Sequence, residues 1–228
     1  DVAQGVLTKG KAAVTTYAFP ENETNFASIV DKALAAKPDA VLLVSYDEAK
    51  KAIPALKAKA FDAKNLYLVD GNLADYSKES FSDYLNGAKG SLPGKATDKS
   101  FAAKLKAKYK AVTKKELTEL AYGAETYDAV ILAALAAQAA GSATGTAVKS
   151  QITNVSLAGA GKVKVTNFAA GLKAIKAGKK VNFDGQSGPV EFDKNGDPTG
   201  AFIGIYRYGT AGTYAENLLK VVAGNTVK

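Results

Sequence analysis

The chain has 228 residues, of which 47% are hydrophobic and 23% charged, a composition typical of a globular protein with one large core or two smaller ones. Cysteine and histidine are absent, which excludes a disulfide framework and the ordinary zinc, copper and haem sites, and removes the commonest general base. The formal net charge is +8, but Arg207 is the only arginine; because nucleic-acid recognition favours arginine, the lysines are interpreted as solvated helix faces and no nucleic-acid partner is expected.

Short apolar runs and amphipathic stretches alternate along the first 70 residues. Asn25 is a potential N-cap for a helix with an apolar stripe, and Lys37-Pro38 ends that helix. The continuous apolar run over 40–45 predicts a strand covered on both faces of a sheet. The predicted order is strand 12–18, helix 25–37, strand 40–45, helix 47–60 and strand 66–69. This alternation predicts a parallel α/β sheet with right-handed crossovers.

The second half of the chain carries further helices and a predicted hairpin. Asp98 is a potential cap for a helix with Phe101, Leu105 and Tyr109 at four-residue spacing. The other predicted elements are a helix over about 118–140, a loop over 141–145, a short helix near 168–175 and a β-hairpin over 190–208. The apolar side of the long helix comprises Tyr127, Val130, Ile131, Ala134 and Leu135.

Two residues follow predicted strands at positions where ligands are commonly bound. Tyr46 follows the run 41–45, and Asp70 follows the run 66–69. Open parallel sheets bind ligands just beyond the carboxyl ends of their strands. If these two strands are neighbours, a phenol and a carboxylate point into one crevice, a pair suited to an amine or ammonium ligand. The alternative interpretation is that Asp70-Gly71 is only a turn and Tyr46 only a packing residue.

Two stretches approach ligand-binding motifs without completing them. Residues 5–12 (GVLTKGKA) nearly form a phosphate-binding P-loop, but Ala12 replaces the Ser or Thr that binds magnesium. Residues 193–197 (DKNGD) are similar to the start of an EF-hand loop, but Pro198 replaces its glycine. A hairpin turn is favoured there. The sequence therefore predicts no cofactor and no metal ion.

Four stretches along the chain carry a family resemblance. They are 25–44 (NFASIVDKALAAKPDAVLLV), 65–72 (NLYLVDGN), 122–134 (YGAETYDAVILAA) and 188–208 (GPVEFDKNGDPTGAFIGIYRY). Together, and in this order, they resemble the type I periplasmic binding proteins of branched-chain amino acid importers, the leucine/isoleucine/valine-binding family. The last stretch is the most distinctive, and the ordered set extends over nearly the whole chain.

This resemblance implies an α/β fold in which a parallel sheet is flanked by helices, in the two-lobed Venus-flytrap arrangement with a three-segment hinge. Residues 1–93 and 204–228 would form the second ligand-binding lobe. Residues 94–203 would pack on the first lobe, whose N-terminal part is absent here. The chain is thus expected to be a C-terminal fragment with an incomplete first lobe, and another chain or a missing segment is expected to cover the apolar side of the long helix.

The resemblance also implies three ligand-binding residues. In relatives a tyrosine after one strand and an acidic residue at the end of the next contact the ligand, and these places fall on Tyr46 and Asp70. An aromatic residue before the long helix lines the same site, and here it is Tyr122. Well-studied members have Glu where this chain has Asp70, so the carboxylate has a shorter reach.

The function that the resemblance implies is capture of an amino acid, branched-chain or similar, and its delivery to an ABC transporter permease. The partners would be that small ligand and the permease, and the location extracytoplasmic, in the periplasm or anchored on the outer face of the membrane. Two alternatives stay open. One is a ligand-sensing receptor or regulator of the same fold; the other is an α/β enzyme using Asp70 as acid/base and Tyr46 as proton donor, which the missing histidine and cysteine disfavour.

Overall fold

The chain folds into two compact units. The computed structural model describes residues 2–95, 97–193, 195–214 and 218–225. Unit 1 comprises Asp1–Ser91 and Tyr206–Asn217, and unit 2 comprises Leu92–Ile205 and Leu218–Lys228. The predicted assignment of 1–93 and 204–228 to one lobe, and of 94–203 to a segment packed on another, stays a prediction.

Unit 1 is built on parallel strands that alternate with helices. Its elements are α1 (Val2–Lys9), α2 (Ala27–Ala35), β1 (Val41–Leu43), α3 (Ala49–Ala58), β2 (Leu66–Leu68) and the first part of β3 (Lys89–Pro93), with 3-10 turns at Ala63–Asn65 and Ser82–Leu85. Strand β1 pairs in parallel with β2, and β2 pairs in parallel with β3. The predicted α/β fold, with a parallel sheet flanked by helices, is confirmed.

Burial alternates along the strands of unit 1. Leu43, Leu66 and Leu68 are buried, whereas Leu42 and Tyr67, which lie opposite each other in the ladder, are 42% and 39% exposed. The expectation that the strand at 40–45 is covered on both faces is therefore wrong. A continuous apolar run does not show how many faces of a strand are covered, because the same sequence can be packed on one face or on two.

The predicted strand over 12–18 is also wrong. Residues 12–20 form neither helix nor strand, and the helix α1 precedes them. A strand is stabilised by pairing with a neighbour, and no described strand pairs with this segment. Local β propensity is therefore insufficient to form a strand here.

Unit 2 combines a helical layer with a small parallel sheet. Its elements are α4 (Lys99–Thr113), α5 (Gly123–Ala140), α6 (Gly145–Ser156), β4 (Val163–Val165), α7 (Phe168–Lys176), β5 (Val181–Phe183), the first part of β6 (Gly200–Arg207) and β7 (Leu218–Asn225). Strands β4 and β5 are parallel. The core residues are Leu132, Leu135, Ala136, Val155, Val165, Ala174, Val181 and Phe183. Among the described helices none is individually long and apolar enough to cross a membrane; α5 and α6 meet that test only as a pair bent by 105°.

The expectation that the apolar side of the long helix is left uncovered by this chain is wrong in part. Leu135 is fully buried, and Ile131 packs against the core of unit 2, whereas Val130 is exposed. Helix α5 packs against α6 and α7, and Gly171 of α7 lies against the Leu135 side chain. Of these two helices, α6 is not among the elements expected from the sequence. Helix α5 is apolar on most of its circumference, so its sequence does not identify the side that is buried.

The predicted hairpin over 190–208 forms only in part. The second strand is β6, but on the first strand only an isolated bridge joins Phe192 to Pro198. The turn is organised by Asp193, whose Oδ1 accepts the backbone N–H groups of Asn195 and Asp197 at 2.8 and 2.9 Å. These contacts agree with a turn and not with an EF-hand loop.

A buried carboxylate on α5 anchors a loop of unit 2. Asp128 accepts the backbone N–H groups of Gln186 and Ser187, at 2.9 and 2.6 Å, and the Ser187 hydroxyl at 2.6 Å. A Cβ atom at Gly185 would collide with this carboxylate, so only glycine allows the loop to approach. The three donors replace the water that the carboxylate lost on burial.

We expect Asp128→Ala to lower the free energy of unfolding by about 2–4 kcal/mol, because it leaves three donors of a half-buried loop without their acceptor. Urea unfolding followed by circular dichroism measures the change. Thr126→Ala, on the exposed side of the same helix, is the control and should change stability by less than about 0.5 kcal/mol. Equal effects of the two substitutions would contradict the anchoring role.

Candidate functional site

The two residues singled out at strand ends lie at the same edge of the sheet of unit 1. Tyr46 comes three residues after Leu43, the last residue of β1, and Asp70 comes two residues after Leu68, the last residue of β2. Because β1 and β2 are parallel neighbours, the predicted placement of both residues at adjacent carboxyl ends is confirmed. Both side chains are exposed, and Tyr46 is 76% exposed.

Asn72 connects the ends of the two strands. Its side chain is 2% exposed, and its Nδ2 donates to the carbonyl of Leu43 at 2.8 Å and to the hydroxyl of Ser45 at 2.9 Å. Its Oδ1 accepts the backbone N–H of Val69 at 2.8 Å. One buried amide therefore uses both its donor and its acceptor to fix the separation between the segments that carry Tyr46 and Asp70.

Asp70 occupies a tight turn that leaves the end of β2. The backbone N–H groups of Asn72 and Leu73 both donate to the carbonyl of Val69, at 3.0 and 2.8 Å. Gly71, next in the turn, lies against the other strand end: a Cβ atom there would be 2.8 Å from the Ser45 carbonyl oxygen and 3.0 Å from the Tyr46 ring. The absence of a side chain at Gly71 thus allows the two strand ends to meet.

Glu48 holds the backbone of Tyr46. Its Oε2 accepts the N–H of Tyr46 at 3.0 Å, and its Oε1 accepts the N–H of Asn22 at 3.1 Å. Its own backbone N–H, followed by those of Asn22 and Tyr46, lowers the pKa of this carboxyl below its ordinary value of 4.5. At neutral pH the charged side chain thus fixes the start of the segment from Tyr46 into α3.

A cluster of aromatic residues supports the segment that follows Asp70. The Tyr76 hydroxyl donates to the carbonyl of Asn72 at 2.7 Å, and its ring stacks on Tyr208 with centroids 6.1 Å apart. The Tyr208 hydroxyl donates to the carbonyl of Ala74 at 2.7 Å and accepts its N–H at 3.1 Å. Burial raises the pKa of Tyr76, so this hydroxyl stays a donor over the ordinary pH range.

Tyr122, the third predicted ligand-binding residue, belongs to unit 2. It is the N-cap residue of α5, is exposed, and has φ +58°, in the left-handed region that few residues other than glycine adopt. Its carbonyl accepts the N–H of Thr126 at 2.9 Å, the first hydrogen bond of the helix. Its participation in a site with Tyr46 and Asp70 stays a prediction.

No metal centre is found in the part of the chain that the structure describes: His, Cys, Asp and Glu side chains form no group of three or more that could hold an ion. Near the site, Glu48 accepts the backbone N–H of Tyr46, and Asp47 pairs with Lys50. The chemistry available at the strand ends is therefore that of a carboxylate beside a phenol.

The family model for the receptor family ligand binding region matches residues 12–206. The chain belongs to this family, the type I periplasmic binding proteins. The resemblance seen in the four sequence stretches is thus confirmed. No curated protein sequence matches this type I binding protein.

Solved structures agree with the family. A leucine-binding protein from Thermotoga maritima has a TM-score of 0.69 at 19% identity, covering 96% of this chain and 54% of its own. An amino acid ABC transporter substrate-binding protein from Pseudomonas fluorescens has 0.61 at 13%, covering 99% and 55%. A type 1 periplasmic binding protein from Bordetella pertussis has 0.58 at 15%, covering 97% and 55%. At these identities the likeness shows the fold, and the chain spans about half the length of these structures.

Sequence reasoning found Tyr46 and Asp70 but missed the residues that hold them in place. Gly71 and Asn72 follow Asp70 directly in the sequence, but nothing local shows that Leu43 and Ser45 lie opposite them. Glu48 follows Tyr46 by two residues, a spacing that allows an acidic side chain to accept a nearby backbone N–H. That spacing was the one available signal.

We expect Gly71→Ala to destabilise the protein by about 1–3 kcal/mol and to displace the Tyr46 ring, because the new methyl group would collide with the Ser45 carbonyl. Urea unfolding and the NMR shifts of the Tyr46 ring measure the two effects. Gly5→Ala is the matched control, since it lies in α1 with no atom within 4 Å of the added Cβ; it should raise stability by up to about 1 kcal/mol. Unchanged Tyr46 shifts in Gly71→Ala would contradict the close contact.

We expect Glu48 to make stability depend on acid pH. Its folded pKa lies below the ordinary 4.5, so its contribution is complete above the unfolded pKa and is lost as the pH falls through the folded value. Thermal unfolding of wild type and Glu48→Gln between pH 3 and pH 7 tests this. The difference in midpoint should be largest near neutral pH and should shrink on acidification; a constant difference would show that the charge is not involved.

Proposed function

We propose that this chain is part of an extracytoplasmic solute-binding protein that captures an amino acid and delivers it to an ABC transporter permease. The observation that supports the proposal best is the pairing of Tyr46 and Asp70 at adjacent strand ends of unit 1. The carboxyl edge of a parallel sheet is where ligands bind in open α/β folds.

Asp70 is proposed to bind the ammonium group of the ligand. A carboxylate gives an ammonium a charge-assisted hydrogen bond, and that bond strengthens when closure of a cleft removes water. Tyr46 is proposed to form an apolar wall, since its exposed ring can cover the ligand side chain. Tyr122 is proposed as a second wall for the same ligand.

The names of the neighbours support the ligand class. The protein from Thermotoga maritima is named as leucine-binding, and that from Pseudomonas fluorescens as an amino acid substrate-binding protein. Both have the fold of this chain, and an amino acid carries the ammonium group that Asp70 would bind. The short side chain of Asp70 favours a ligand that lies deeper at the sheet edge than one bound by glutamate.

The proposed mechanism is binding followed by closure, without chemical change of the ligand. Contacts made only in a closed state shift the open–closed equilibrium toward that state. The permease would then accept the closed form. The assignment outside the cytoplasm follows the neighbour named as periplasmic, and a first lobe supplied by residues beyond this chain stays a prediction.

A receptor is the second candidate function. The matching family is described as a ligand-binding region of receptors, in which closure on a ligand would be detected by a signalling partner and not by a permease. The ligand site would be the same in both cases. Reconstituted uptake with the permease separates the two, because only the transport protein would support ligand-dependent import.

We expect Asp70→Asn in the whole protein to weaken amino acid binding by roughly 30-fold to several thousand-fold. The reason is that removing one partner of a charge pair buried by closure costs about 2–5 kcal/mol. Tyr46→Ala should cost less, because it removes a wall and leaves the charge. Calorimetric titration against a panel of amino acids measures both affinities.

Asp39→Asn is the matched control for this titration. Asp39 is exposed and precedes β1, so the substitution makes the same charge change at the opposite edge of the sheet and should leave affinity unchanged. If Asp70→Asn binds as tightly as wild type, the ammonium assignment is wrong, and a ligand without an amine becomes the better hypothesis.

A further inference from the structure

The net positive charge of the chain is concentrated in one helix. The segment 99–115, which contains α4, holds seven lysines and no acidic residue, whereas the remaining sequence holds 23 basic and 22 acidic side chains. The lysines are Lys99, Lys104, Lys106, Lys108, Lys110, Lys114 and Lys115. Seven of the eight excess positive charges therefore belong to a single helix and its end, and the rest of the chain is nearly neutral.

Helix α4 is attached to unit 2 by one narrow side. The Phe101 ring packs edge-on against Tyr127 with centroids 5.0 Å apart, and Leu105 lies 3.2 Å from the Cβ position of Gly123. Asp98 caps the helix by accepting N–H groups of its first turn at 2.9 and 3.0 Å. No residue of the helix is buried, so most of its circumference is in contact with solvent.

An apolar pair extends beyond the attached side. Tyr109 and Val112 continue the stripe of Phe101 and Leu105 at spacings of four and three residues, yet they are 36% and 67% exposed. Lysines flank them in sequence and on the adjoining turns of the helix. The second half of α4 is thus a basic helix whose apolar stripe is exposed at Val112 and in part at Tyr109.

The lysine charges are largely uncompensated. Lys110 pairs with Glu116, and this is the one ion pair of α4 in the described part of the chain. Lys104, Lys106 and Lys108 form no ion pair with any described residue. Lysine ammonium groups are almost never fully buried. The part of α4 that carries Lys104, Lys106 and Lys108 is therefore not a surface that would be buried in a protein core.

We propose that α4 binds the surface of a membrane rich in anionic lipids. Lysine is a compact charge that suits a diffuse negative surface, and the chain has a single arginine, outside α4, for bidentate recognition of phosphates. An exposed tyrosine and valine between lysines match the interfacial helix pattern, in which apolar groups enter the headgroup region and lysine stems reach along it. The surface belongs to unit 2, whereas Tyr46 and Asp70 of the proposed ligand site belong to unit 1.

Co-sedimentation with vesicles tests the proposal. The purified protein should bind vesicles of phosphatidylglycerol and phosphatidylcholine, should not bind pure phosphatidylcholine, and should lose binding as salt is raised. The triple variant Lys104→Gln, Lys106→Gln and Lys108→Gln should bind at least about tenfold more weakly, since each lysine near an anionic surface contributes severalfold. Glutamine preserves helix propensity, and circular dichroism checks the fold.

The matched control removes the same charge elsewhere in unit 2. Three lysines are exposed at the end of α7 and beyond it: Lys173, Lys176 and Lys179. Changing all three to Gln should weaken vesicle binding by less than about one third of the effect of the α4 triple variant. A second variant, Tyr109→Ala with Val112→Ala, keeps every charge and should weaken vesicle binding about threefold or more while leaving binding to a soluble polyanion unchanged.

Three outcomes would overturn the proposal. Equal binding of wild type and the α4 lysine variant to anionic vesicles would exclude α4 as the surface. Equal losses of vesicle binding in the α4 and α7 variants would show that binding depends on the net charge of the protein and not on α4. Tight binding to a polyphosphate or acidic polysaccharide without binding to anionic vesicles would assign the helix to a polymer instead of a lipid surface.

Discussion

The hydrogen bonds of one buried side chain, Asn72, join the two strand ends that carry the candidate site. Strands β1 and β2 are three residues long, so the ladder between them has few hydrogen bonds and does not extend to Tyr46 and Asp70. Asn72 continues the connection, because it donates to the segment after β1 and accepts from Val69 after β2. The exposed residues at the edge therefore have a defined separation that they do not create themselves.

This arrangement depends on residues far away in sequence. The turn after Asp70 continues into a segment held by Tyr76 and Tyr208, and the hydrogen bonds between Ala74 and Tyr208 connect residues 134 positions apart. Tyr208 also packs against Tyr214, with ring centroids 5.6 Å apart. An aromatic cluster formed from both ends of unit 1 thus supports the loop that carries the solvent-exposed carboxylate of Asp70.

Unit 2 uses a similar device for a different purpose. Asp128 is buried and gathers the N–H groups of Gln186 and Ser187, so a polar side chain again organises the backbone of a loop. Unit 2 also carries the lysines of α4, while Tyr46 and Asp70 belong to unit 1.

Some of this protein could be predicted from the sequence because the signals were local. The alternation of apolar runs and amphipathic stretches predicted the parallel α/β sheet, and the positions of Tyr46 and Asp70 after such runs predicted their shared edge. Asp98 and Gly141 predicted helix ends, since caps act on the backbone within a few residues. The family resemblance likewise followed from an ordered set of short stretches.

Other features were decided only by tertiary structure. The segment 12–18 has strand-like composition but no pairing partner, and the exposed face of Leu42 and Tyr67 could not be distinguished from a covered one. Leu135 is buried because α6 and α7 pack against one side of an almost uniformly apolar helix. Asn72 and Asp128 resemble ordinary loop and helix residues in the sequence. Their roles arise from partners 29 and 58 residues away, and the physical reason is that a hydrogen bond between distant segments exists only once the chain has folded and brought donor and acceptor together.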